Sequence, residues 1–191
     1  DTSIPGANLI AGIGYISGVK CMIMIDDSGI KAGAASEATI DKALGCLDIA
    51  LKQKLPCVHL VESAGVDLPN YSVKLWSKFG SVFYKKAKLS AAGIPVIAIL
   101  HGFSTAGGAY QIGMSDYVIG VKRNGMAALA GSALLKAATG ENATNSDIGG
   151  VEMHSVVTGS VEYLVNDDAE SIVTVRTVSY THLTLPTKRS V

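Results

Sequence analysis

Val96-Ile97-Ala98-Ile99-Leu100-His101-Gly102-Phe103-Ser104-Thr105-Ala106-Gly107-Gly108-Ala109-Tyr110 runs from five consecutive apolar residues through a glycine-bearing turn at His101 to Gly108 into a short helix, Ala109 to Met114. An unbroken apolar run of that length reads as a strand buried on both faces. The same order recurs on both sides of it. Upstream, Cys57 to Val61 is a short buried strand that leads into the loop Glu62 to Asp67, and a helix over Val73 to Ala92 is broken by Gly93-Ile94-Pro95. Further upstream, Asn8 to Ile16 and Val19 to Asp26 read as a hairpin of two buried strands turning at Ser17-Gly18. Ser36 then caps a helix whose apolar positions Ile40, Leu44, Leu47 and Leu51 recur at helical spacing, ending near Lys54. Downstream, Tyr117 to Val121 and Met126 to Ala130 are further strands. Such alternation means an α/β architecture. Spacing alone leaves open a doubly wound Rossmann-type sheet and a stacked superhelix of strand-strand-helix turns.

A chain of 191 residues with 48% hydrophobic and 17% charged residues can bury a core and is globular. Sixteen basic side chains balance sixteen acidic ones, which removes the net field that would draw nucleic acid or an anionic membrane. Few charges and 21 glycines imply apolar surface that other domains or subunits cover, so an assembly is expected. Cys21, Cys46 and Cys57 lack CxxC spacing and read as buried thiols in a reducing compartment, not as a disulfide framework or a metal site. The charge-free stretch Leu89 to Ser115 is long enough to span a bilayer, but Pro95, His101, Gln111 and five glycines exclude a membrane helix. The chain opens at Asp1 without a leader pattern and is read as a fragment.

Two loops carry the chemistry. Gly107 and Gly108 sit where a strand enters a helix, and the first N–H groups of a helix have no internal partner and can bind a negatively charged oxygen. Ala64, Gly65 and Val66 lie just beyond the carboxyl end of another strand, where small residues expose the peptide N–H. If the loops face each other, their N–H groups converge on one oxygen, the geometry of an oxyanion hole. A rival reading makes Ser104 the nucleophile of a serine hydrolase, with His154 as base and Asp116 or Asp147 as the acid. The segment Gly102 to Ala106 falls one residue short of the G-x-S-x-G elbow, because Ala106 stands where the last glycine belongs. A third reading is a non-catalytic CoA-binding or oligomerisation module.

Leu60-Val61-Glu62-Ser63-Ala64-Gly65-Val66-Asp67-Leu68-Pro69 resembles the Val-Glu-Ser-Gly-Gly-Ala-Asp-Leu-Pro loop of the carboxyltransferase β subunits of biotin-dependent acyl-CoA carboxylases of propionyl-, methylcrotonyl- and acetyl-CoA type. Ser90 to Pro95, Ser104 to Tyr110, Met114 to Tyr117, Lys136 to Glu141 and Gly149 to His154 resemble the same family in the same order. The resemblance covers Ile4 to Arg176. It implies a crotonase-like (ClpP/crotonase) fold, a superhelix of repeated ββα units, in place of the doubly wound sheet. It also implies a site shared between the N domain of one subunit and the C domain of its neighbour in a homo-oligomer, with only the N domain present here.

In this family a carboxyl group passes from carboxybiotin, held on a separate biotin carrier next to a biotin carboxylase subunit, to the α- or γ-carbon of an acyl-CoA through a thioester enolate. The biotin anion itself takes the substrate proton, so neither a metal nor a catalytic acid pair is implied. Ala64, Gly65, Val66, Gly107 and Gly108 are the expected catalytic backbone donors, and Lys31, Ser63, Ser104, Thr105, Ala106 and Tyr110 the expected substrate-binding residues, with Lys31 beside a CoA phosphate. The resemblance extends to a related decarboxylase subunit, and implies a cytoplasmic location, or the mitochondrial matrix in a eukaryote.

The sequence departs from the family at Ala64 and Val66, which stand for Gly and Ala and are expected to thicken the pocket rim, and at Ser132-Ala133, which stands for Pro-Pro. Lys85, Lys86 and Lys88 on one helix read as a solvated face, Trp76, Phe79 and Phe83 as core or interface, and His154 as structural. Val178 to Val191 switches to Thr, Pro and basic residues and is read as a translated sequencing adapter, leaving a domain of 1–177.

Overall fold

The structure, a computed structural model, describes residues 7–184. Strands β1 (Leu9–Ile16) and β2 (Val19–Asp26) form the hairpin, paired antiparallel from Leu9↔Asp26 to Ile16↔Val19. Ser17 (φ 50°) and Gly18 (φ 81°) both take the left-handed conformation, as a two-residue type I′ turn requires. The hairpin stands as read, but the expected burial of both strands does not. β1 is the edge of the sheet, with a partner on one side only, and Ile10, Ile13 and Tyr15 are exposed while its end residues Leu9 and Ile16 are buried.

Helix α1 (Glu37–Gln53) begins at a capping box in which Ser36 and Thr39 satisfy each other's backbone N–H, and it ends at Lys54 in the left-handed conformation. Strand β3 (Cys57–Val61), helix α2 (Val73–Ala91, capped by Ser72) and strand β4 (Val96–Leu100) follow. The expected turn after β4 contains a short strand, β5 (Phe103–Thr105), and helix α3 (Gly107–Gly113) starts two residues before Ala109. Strands β6 (Tyr117–Val121) and β7 (Met126–Ala128) precede α4 (Ser132–Thr139), α5 (Asn145–Gly149) and α6, a single turn at Val151–Met153. Strand β8 (Tyr163–Val165) and helix α7 (Asp168–Ser179) follow, and a π-helical turn continues over Tyr180–Thr184. The expected tail begins inside α7, where Val178 and Ser179 are buried. Its last residues, 185–191, lie outside the described residues.

The main sheet has the order β1-β2-β3-β4-β6-β8 and is parallel from β2 onward. A second ladder stands beside its carboxyl edge. β5 pairs parallel with β7, Ser63 exchanges backbone hydrogen bonds with Phe103 and Thr105, and Ala35 bridges Val66 in parallel. Segment after segment, the chain leaves the main sheet, adds a short extended piece to this ladder and returns through a helix. This is the stacked superhelix of the crotonase fold, not a doubly wound sheet. Every residue of β4 is buried because the strand is central: Val96 packs with α1 and α2, Ile97 and Ile99 with Val175 and Val178 of α7, and Ala98 and Leu100 with Ile112 of α3. The three cysteines are buried free thiols, and burial pushes the Cys57 thiol up to about 12.

A candidate active site between two glycine turns

The first turn leaves β3 at Val61. The Ser63 N–H donates to Phe103 O (3.0 Å) and its carbonyl accepts from Thr105 N (2.8 Å), so the loop is stitched to β5 before it bends. Ala64 N–H is taken by Ala32 O at 3.1 Å, and Gly65 N–H by the Ser63 hydroxyl at 3.2 Å. Gly65 has φ 88°, a conformation that favours glycine. Beyond it, Gly65 O accepts from Ala35 N (2.7 Å) and Asp67 N–H donates to Ala35 O (3.1 Å). Because both neighbours of Val66 address Ala35, the Val66 N–H points away from that strand, and no acceptor for it exists among the described residues.

The second turn is set by Ala106, at φ 50° and ψ −118°, a strained conformation for a residue with a Cβ. Its N–H is anchored on Ala128 O (3.0 Å), and its carbonyl accepts the Ala109 N–H (3.1 Å). Gly107 and Gly108 are the first two residues of α3, and their N–H groups have no partner among the described residues. The turns touch. A Cβ on Gly65 would lie 3.3 Å from Thr105 O and 3.4 Å from Gly107 N, and one on Gly108 would run into Ser63 O. The structure therefore brings Gly65, Val66, Gly107 and Gly108 together, and leaves three N–H groups open, those of Val66, Gly107 and Gly108. Those of Ala64 and Gly65 are already used.

The expected substrate-binding residues divide. Thr105 and Ala106 border the gap, and Tyr110, about half exposed, leans on Phe83 at 5.4 Å beside an apolar cleft of about 510 Å³ lined by Ala109, Ile112, Ala128, Leu129 and Leu135. Lys31 is half exposed but paired with Asp67 at 3.0 Å, and Asn70 and Lys31 together hold the Asp67 carboxyl below its usual range. Ser63 is buried, with its hydroxyl donating to Gly33 O (3.0 Å) and accepting from Gly65, which makes it a brace of the turn.

Ser104 is fully buried on β5 with no partner for its hydroxyl among the described residues, which removes the hydrolase reading. The proposed relay is dispersed: His154 Nε2 donates to Ala127 O (2.7 Å), Asp116 holds Val96 N and Ser90 Oγ, and Asp147 caps α5. Both ring nitrogens of His154 are engaged, the other one with the Thr158 hydroxyl at 3.0 Å.

Residues 1–190 match the model of the carboxyl transferase domain. The chain belongs to this family. It is 40% identical over 179 residues to the biotin-dependent 3-methylcrotonyl-coenzyme A carboxylase beta1 subunit of Mycobacterium tuberculosis, covering 93% of this chain and 34% of that protein. It is 42% identical over 171 residues to the mitochondrial methylcrotonoyl-CoA carboxylase beta chain of Arabidopsis thaliana, covering 88% and 29%. The beta subunit of geranyl-CoA carboxylase from P. aeruginosa superposes with a TM-score of 0.83 at 42% identity, over 91% of this chain and 32% of that one. The chain thus spans about a third of the length of the relatives it matches.

The carboxyl transferase fold also explains the departures. Val66 does not thicken the rim as expected, because its side chain is buried in the core with Ala35. Ala64 is exposed and stays on the rim. Ser132 opens α4, a first-turn position of the kind proline takes, but here its N–H is held by Asn145 Oδ1 at 2.8 Å, a bond that proline could not make. One chemical feature was misread: Lys86 is not on a solvated face but is 1% exposed. Lys85 pairs with Asp48 and Lys88 lies over the Tyr84 ring, so only Lys86 points inward. Its inward position follows the helical spacing of Phe79, Val82 and Leu89, the buried positions of α2. Among the described residues no helix is long and apolar enough to cross a membrane.

Proposed function

We propose that this chain is the N-terminal part of the carboxyltransferase subunit of a biotin-dependent acyl-CoA carboxylase, and that it holds the thioester oxygen of an acyl-CoA on backbone N–H groups. The observation that supports this is the close packing of two turns that, among the described residues, leave the N–H groups of Val66, Gly107 and Gly108 without an acceptor. Removing a proton next to a thioester moves negative charge onto its oxygen. Fixed N–H donors aimed there contribute about 3 kcal/mol each, because they need not reorganise as the charge develops. Glycine at 65 and 108 lets the two turns approach each other, and glycine at 107 leaves room for the Phe79 ring. The apolar cleft begins at Ala109, the residue after Gly108, and suits the apolar part of the thioester.

Carboxybiotin on a carrier protein would supply the carboxyl group and the base for the substrate proton. The residues of this chain would orient the thioester and hold charge at its oxygen. The partners are a biotin carboxylase with its carrier, and the C-terminal carboxyltransferase domain of a neighbouring subunit in a homo-oligomer. This chain alone is then inactive. A cytoplasmic or matrix location fits these partners.

The test uses the full-length subunit with its biotin carrier, in which glycolic acid replaces Gly107 so that an ester oxygen stands for the N–H and no atom clashes. A side chain at that position would strike Phe79. Carboxyl transfer should fall about 10²–10³-fold in kcat, while titration with a non-reactive acyl-CoA analogue shows affinity within about threefold of the unmodified protein. Failure of the unmodified subunit to bind the analogue would remove the assignment.

A further inference from the structure

Behind the two turns lies a polar cluster buried in an otherwise apolar core. Lys86 of α2 is among the largest side chains with almost no exposure, and its ammonium donates to Gln111 O of α3 at 3.2 Å. His59 Nε2 of β3 donates to Asp26 Oδ1 of β2 at 3.1 Å, and Asp26 Oδ2 accepts the Glu62 N–H at 3.2 Å. His59 Nδ1 and Gln111 Oε1 are buried without partners among the described residues. Asp26, His59, Lys86 and Gln111 all line one internal cavity of about 40 Å³, large enough for an ordered water.

The contacts of this cluster end on both halves of the site. Asp26 holds the N–H of Glu62, the first residue of the first turn. Lys86 holds a carbonyl of α3, the helix whose first residues are Gly107 and Gly108, and Phe79 of the same helix α2 stands against Gly107. A buried cation is a poor source of stability, since apolar replacements of similar volume are often as stable. Its directional contacts are what an apolar core would not supply.

We infer that Lys86 and Asp26 are positioning residues for carboxyl transfer, fixing the second and first turns respectively so that their open N–H groups stay convergent. This rests on the carboxyltransferase reading above. Neither side chain touches substrate: each acts through backbone, Asp26 through Glu62 and Lys86 through Gln111. A shift of the order of an ångström in such groups lowers turnover about 10²-fold.

The experiment measures steady-state transfer by the full-length subunit with its biotin carrier, for the wild type, Lys86→Met, Asp26→Asn and the exposed control Lys88→Met. The expected result is a fall in kcat of about tenfold or more for Lys86→Met and Asp26→Asn with KM for acyl-CoA within about twofold, and no change for Lys88→Met. Asp26→Asn keeps the side chain's shape, so it decides the matter if Lys86→Met does not fold. Unchanged kcat in a folded variant overturns the inference. So does a fall that merely follows lost folded protein, judged by circular dichroism at the assay temperature. A wild-type subunit that transfers no carboxyl group refutes the carboxyltransferase reading instead, whatever the variants do.

Discussion

Gly65 packs against Gly107: a Cβ on Gly65 would stand 3.4 Å from the Gly107 amide nitrogen and from the Ala106 Cβ, and 3.3 Å from Thr105 O. Gly65 also has φ 88°. Gly65→Ala should therefore lower stability by about 1–3 kcal/mol through backbone strain, and the added methyl should press the turns apart. Urea unfolding of the full-length subunit and its carboxyl-transfer rate measure the two effects. A variant as stable and as active as the parent would mean that the turns are not locked together.

Two glycines of the same helix make a sharper contrast. At Gly108 a methyl would meet the Ser63 carbonyl, a backbone atom that cannot swing aside, whereas at Gly113 nothing lies near. Gly108→Ala should destabilise by about 1–3 kcal/mol through overpacking. Gly113→Ala, near the end of α3, should stabilise by a few tenths to about 1 kcal/mol because alanine favours helix. Chemical denaturation of both variants checks the pair, and equal effects would place Gly108 wrongly.

Ser104 offers the opposite case, a buried hydroxyl with no partner. Removing an unsatisfied hydroxyl is neutral or favourable, so Ser104→Ala should keep stability within about 0.5 kcal/mol or raise it. Carboxyl transfer should persist, and a fluorophosphonate probe should label neither protein. Loss of activity with the fold intact, or labelling that depends on Ser104, would restore the nucleophile reading.

Much of this was legible in the sequence, and what was not has a physical cause. Strands β1 to β4, β6 and β7, the cap at Ser36 and the end at Lys54 follow from local chemistry, and local patterns indicate them. The β5 strand does not, because Phe103-Ser104-Thr105 is too short to show an alternation and is extended only by pairing with Met126 to Ala128 and with Ser63. The two turns were identifiable by their glycines, but which N–H groups remain open depends on long-range pairing with Ala32 and Ala35, which no window of sequence contains. Lys86 was hidden for a related reason. Lysine on a helix usually lies in water, and only the position of Asp26 and Gln111 across the core reveals why this one does not.

Lys86 should also leave a mark on stability. Burial lowers its pKa from the ordinary 10.5 to about 8, offset in part by Asp26 of β2. His59 and Cys57 of β3 are the other titratable groups nearby. Above pH 8 the native lysine has released its proton while the unfolded one keeps it up to about 10.5, so stability rises with pH across that window; below it both states are charged and the full burial penalty remains. Three thiols oppose this from about pH 9, because the unfolded thiols ionise there while burial raises all three in the native state, Cys57 to about 12 and Cys21 and Cys46 in the same direction. The wild type should therefore gain less than about 1 kcal/mol between pH 8 and 9, the Lys86 contribution alone being about 1, before the thiols level and reverse the rise. Lys86→Met should lose the rise and keep the fall. Urea unfolding at half-unit intervals from pH 7.5 to 10 measures both curves, and an unaltered rise in the variant would show that the ammonium of Lys86 is not the group responsible.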